Sequence, residues 1–170
     1  MGIDIYMVWD NQTQEEHEAQ LTGFSTVHGH VGYLREAYHG GPYATQLLFP
    51  EAFVGGSEGA VIASSLLRER MTKVPVEPSP EVLTGHNTAV LVMESMKSMG
   101  FDRVDPPTIK PATLESMTVE EAIIERSMRV YGEDENSQET QEILKSFRDF
   151  VSLYETLETQ GKNPRIIASY

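Results

Sequence analysis

The densest run of residues able to do chemistry is HGHVGYLREAYHGGPY at positions 28–43. It puts His28, His30 and His39 within twelve residues, interleaved with Tyr33, Arg35, Glu36, Tyr38 and, beyond them, Tyr43. Neutral imidazoles ligate divalent ions, and an H-x-H pair on extended backbone turns both rings to one face, because side chains alternate along a strand. His28 and His30 so placed, with His39, Asp4 or Glu36 completing the set, would hold a divalent metal. Without an ion, the same group would line a polar pocket for a small ligand, with His28, His30, Arg35, Glu36, His39, Tyr43 and Asp4 as its residues. A bare H-x-H is a common pattern, however, and no second ligand pair at metal-site spacing follows. The competing reading has the histidines capping helix ends or bonding across the fold; His39, just before Gly40, stands where a helix dipole favours imidazolium.

Other chemistries find no sequence support. The chain has no cysteine, which removes disulfides, thiolate ligands and a cysteine nucleophile. It contains no GxGxxG or GxxxxGK[ST], so nucleotide loops are missing and no cofactor is identifiable, and the glycine-rich Gly55-Gly56-Ser57-Glu58-Gly59 reads as a hinge. Gly40-Gly41 serves more simply to end a helix than to cradle an anion. The net charge is −13, from 26 acidic and 13 basic residues, which repels phosphate backbones and disfavours direct nucleic-acid binding. The N-terminal segment lacks the basic start and apolar run of a signal peptide, and no apolar run approaches a membrane span; the expected location is cytoplasmic.

The elements that would position this cluster follow from periodicity. Ile3, Ile5, Met7 and Trp9 alternate with Asp4, Tyr6, Val8 and Asp10, the period-two signature of a strand with one buried face. Thr13 with Glu16 makes a capping box for a short helix to about Leu21. Residues 31–38 are expected to be helical, which would let Arg35 and His39 share a face, and if that helix covers the first strand, Asp4 pairs with Arg35. The alternation of Tyr43, Thr45, Leu47 and Phe49 predicts a second strand. Ser57 would cap a helix through about Met71, and Ser79 or Asn87 another ending at Gly100; the proline-rich stretches 73–80 and 101–112 read as loops.

The C-terminal third reads as helical. Thr118 and Glu121 form a second capping box for a helix to about Tyr131, ended by Gly132. From Gln138, residues Ile143, Phe147, Phe150, Tyr154 and Leu157 recur at spacings of 4, 3, 4 and 3, a single stripe on a long helix. The carboxylates of Glu120, Glu121, Glu125 and 133–135 read as solvated surface. Ile166, Ile167 and Ala168 suggest a terminal strand whose natural partner is the first. The whole is an α+β fold: one domain over 1–170, with a small, mostly antiparallel sheet (N-terminal strand, strand near 43–49, C-terminal strand) covered by several helices.

MGIDIYMVWD, GHVGYLREAYHGGPYAT at 29–45 and the ending RIIASY resemble a group of small bacterial and phage-type hypothetical proteins. That resemblance implies no catalytic residues. Three function classes remain. The favoured one is a non-catalytic protein-interaction or regulatory module with an unidentified protein partner, as monomer or homodimer. The alternatives are a small-ligand or divalent-metal protein, with or without enzymatic activity, built on 28–43, and an acidic mimic of nucleic acid.

Overall fold

The computed structural model describes residues 2–22, 26–40, 42–54, 58–72, 99 and 118–170. Strand β1 (Gly2–Val8) occupies the centre of a three-stranded antiparallel sheet in the order β2-β1-β3, with β2 at Tyr33–Ala37 and β3 at Arg165–Ser169. The alternation read along β1 holds: Ile3, Ile5 and Met7 are buried, while Asp4, Tyr6 and Val8 are half-buried on the other face. The terminal strand pairs with β1 as expected, with Ile5 opposite Ala168 and Met7 opposite Ile166. Ala60 extends that edge through a reciprocal pair of backbone hydrogen bonds with Ile166.

Five α-helices pack around the sheet among the described residues. Both capping boxes form. Thr13 opens α1 (Gln14–Leu21) and Thr118 opens α4 (Val119–Arg126), each hydroxyl accepting from the N3 amide while the N3 glutamate accepts from the cap amide. Helix α5 (Gln138–Thr159) buries the whole stripe from Ile143 to Leu157 in one core with Ile3, Ile5, Leu34 and Phe49. Tyr154 ties three elements together: its hydroxyl donates to the Pro164 carbonyl at 2.9 Å and accepts from the Ile62 amide at 3.1 Å.

Two elements exchange character relative to the sequence reading. Residues 33–37 form strand β2, not a helix, and the segment before them is a 3-10 turn (Thr26–Val31). Gly32 separates the two with φ +82°, a conformation foreign to a helix, and its carbonyl accepts from the Met7 amide at 2.8 Å. Pairing with β1 then sets the register, with Leu34 opposite Ile5 and Glu36 opposite Ile3, both facing the core. Conversely, residues 44–48 form helix α2 (Ala44–Leu48), not a strand. The apparent alternation there carried no face information, because every residue from Ala44 to Phe49 is buried. The helix expected from Ser57 begins instead at Ser64, as α3 (Ser64–Met71). The helix expected over 79–100 and the loops at 73–80 and 101–112 lie outside the described residues. No helix among the described residues is long and apolar enough to cross a membrane.

Candidate functional site

The β2-to-α2 corner draws part of the 28–43 cluster into the interior. Glu36 is fully buried and accepts four hydrogen bonds. Its Oε1 takes the Ala44 amide at 3.1 Å and His39 Nε2 at 3.0 Å; its Oε2 takes the Thr45 amide at 2.9 Å and the Thr45 hydroxyl at 2.7 Å. Glu36 thus caps the first turn of α2 from a neighbouring strand, satisfying amides that no intrahelical carbonyl can reach. Burial alone would raise its pKa, but the His39 hydrogen bond, the Arg126 charge and the Thr45 amide override it and hold the carboxyl near 2.

His39 is fixed in one protonation state by its neighbours. Arg129 donates through one guanidinium nitrogen to His39 Nδ1 at 3.0 Å and through another to the His39 carbonyl at 2.6 Å. A guanidinium has no acceptor, so Nδ1 must offer its lone pair and Nε2 must carry the proton given to Glu36. Burial, foremost, and the nearby arginine charges depress the His39 pKa against the pull of Glu36. The Glu36–His39 contact is therefore a hydrogen bond from a neutral imidazole. The Tyr43 ring lies against that of His39, centroids 4.7 Å apart and planes tilted by 52°, and its hydroxyl accepts from the Gly40 amide. Burial pushes that phenol up to about 12.

The interior chain continues into α4. Arg129 bonds Glu125 at 2.8 Å, and buried Arg126 reaches the Tyr131 hydroxyl at 3.0 Å. Two carboxylates, Glu36 and Glu125, thus balance two guanidiniums around a neutral imidazole. In this arrangement each Glu36 oxygen already accepts two donors and both His39 nitrogens are engaged. The set joins β2 and α2 to α4, and within it Glu36 offers no open carboxylate oxygen and His39 no imidazole lone pair.

The remaining candidates lie elsewhere. Asp4 and Arg35 face each other on the opposite side of the sheet, 3.8 Å apart, so the expected pair exists but arises from strand register, not from a covering helix. Tyr33 donates to Asp4 at 2.6 Å, and its ring lies 5.2 Å from Tyr6. Arg35 and His39 consequently do not share a face. His30 is exposed on the 3-10 turn, and the His28 side chain lies outside the described residues. Among the described residues no three His, Asp or Glu side chains are placed to hold a metal ion.

A surface that the sequence reading passed over adjoins this network. After α4 the chain widens into a π-helical turn (Ser127–Tyr131), closed by Gly132 at φ +71°. A hollow of about 640 Å³ opens there, lined by Glu121, Ile124, Glu125, Met128, Arg129 and Glu135. Met128 is 58% exposed, and Val130 and Tyr131 beside it are more than two-fifths exposed. Single-turn π segments recur at functional sites because they re-aim side chains that a regular helix would bury. Three polar atoms here, Glu125 Oε2, Arg126 Nε and Ser127 Oγ, are buried with no hydrogen-bond partner among the described residues. The available signal was the apolar run Met128, Val130, Tyr131 interrupted by Arg129 and bracketed by acids, a pattern with no named motif.

The chain matches no family model, no curated protein and no solved structure. Its function must be argued from this geometry alone. A second hollow, of about 430 Å³, lies between α3 and α5, but its two arginines, Arg68 and Arg148, are paired with Glu155 and Glu120.

Proposed function

We propose that this protein is a non-catalytic interaction module, and that its contact surface is the hollow beside α4 and the π-helical turn. The observation that carries this reading is the concentration of large apolar side chains at the surface there. Met128 lines the hollow with Ile124, and Val130 and Tyr131 are exposed in the same turn. Scattered exposed apolar residues are ordinary, but a contiguous patch rimmed by polar groups is the usual mark of a protein contact. The interior bonding of Glu36 and His39 supports the same reading, since it gives the densest titratable cluster a structural task.

Site-specific photo-crosslinking in the native cell tests it. A photoreactive residue at position 131 is expected to yield a defined adduct that a Met128→Asn change abolishes. The same probe at position 61, where Val61 is 74% exposed, is the control. Adducts at 61 and 131 of equal yield, or an adduct at 131 indifferent to Met128→Asn, would refute the proposal. Met128 is sufficiently exposed that the substitution leaves folding intact.

A further inference from the structure

We infer that the hollow takes a basic amphipathic segment of a different protein: an apolar side chain seated between Ile124 and Met128, with lysines or arginines over the rim. This rests on the interaction reading above and adds the chemistry of the partner.

Charge around the concavity decides the class. Its rim carries Glu121, Glu125 and Glu135, with Glu133 and Asp134 following directly in the adjoining turn. Among the described residues the one cation of the lining, Arg129, is held by Glu125 and by the His39 carbonyl and ring. A partner approaching the floor therefore meets an excess of negative charge, which speeds encounter with a cationic segment and penalises an anionic one. A second copy of this chain is a poor occupant for the same reason, because both faces would carry the −13 surface. The floor supplies what charge alone lacks. Methionine is unbranched and polarizable and adapts to varied apolar side chains, a common property of surfaces that receive helical segments.

The test uses two synthetic helical peptides, each with leucines along one face; one carries lysines on the other face and the second carries glutamates. Binding to the full chain is read by fluorescence anisotropy at low and high salt. The lysine peptide is expected to bind at least about tenfold tighter than the glutamate peptide, with the difference shrinking as salt rises. Met128→Asn is expected to weaken the lysine peptide by about tenfold and Glu135→Lys by about threefold, the first in the range of a contact hot spot and the second in that of a rim charge. Equal binding of the two peptides would overturn the inference. So would lysine-peptide binding untouched by both substitutions, which would mark general attraction to an acidic protein. Sedimentation showing a dimer that Met128→Asn dissociates would assign the hollow to a second copy and overturn it as well. A crosslink at position 131 with no preference for the lysine peptide would leave the interaction reading standing and remove only this partner class.

Discussion

Replacing Glu36 with glutamine removes almost no volume and leaves the four donors around the side chain in place. Each carboxylate oxygen accepts two of them. A glutamine keeps one oxygen, so its NH2 group must face two donors with nothing to accept. His39 cannot relieve this by changing tautomer, because Nδ1 already accepts from Arg129. Two charge-assisted hydrogen bonds are lost, each worth about 1.5–3 kcal/mol, so the expected cost is about 3–6 kcal/mol at neutral pH. Linkage agrees in sign: a carboxyl whose pKa is lowered on folding adds stability at pH values above its ordinary 4.5. Because the folded pKa is the depressed one, the unfolded chain takes up the proton first as pH falls. That contribution is complete above about 4.5 and disappears as pH descends towards 2. Urea denaturation of Glu36→Gln and the parent chain across this range is the assay. The stability gap between them is expected to be widest at pH 7 and to close below pH 4.5. A gap under about 1 kcal/mol at pH 7, or one that does not change with pH, would refute the assignment of Glu36 as a buried, ionised helix cap.

Three further outcomes are expected. A Cβ at Gly29 would sit 1.8 Å from the Ser146 carbonyl oxygen, so Gly29→Ala should cost more than about 3 kcal/mol by calorimetry, or prevent folding, through overpacking of the 3-10 turn against α5. Thr118→Ala should cost about 1 kcal/mol in urea by undoing the α4 capping box, with Thr118→Ser restoring most of it. Because the His39 pKa is lowered, the unfolded chain binds that proton more readily, so His39 should destabilise the fold progressively as pH falls below 6.5. The pH slope of the melting temperature between 6.5 and 5 should flatten in His39→Gln, and an unchanged slope would count against a buried neutral imidazole.

What was legible in the sequence was local. The capping boxes at Thr13 and Thr118 and the stripe from Ile143 to Leu157 each lie within a few turns of chain, and each formed as read. Strand β1 announced itself because one of its faces is dry and the other half-wet. The exchange of strand and helix between 33–37 and 44–48 was not legible, because its cause is distant. Leu34 and Glu36 take their places from pairing with Ile5 and Ile3, about thirty residues away, and α2 is buried all round, so it has no amphipathic period to read. Glu36, His39 and Tyr43 were visible as chemically able residues and do meet in space. Their use was invisible, since the donors that saturate Glu36 come from the next helix and those that fix His39 come from Arg129, ninety residues on. The exposed π-helical turn left still less trace; its apolar residues at 128, 130 and 131 continue the α4 pattern, and only the folded chain shows them turned outward.

Hydrogen exchange on the full chain, with and without a saturating amount of the lysine-faced peptide, tests the central proposal most directly. The expected result is slowed exchange confined to 121–135, with the amides of β1 and β2 unchanged. Protection centred on 28–43, or no protection at 121–135, would contradict it.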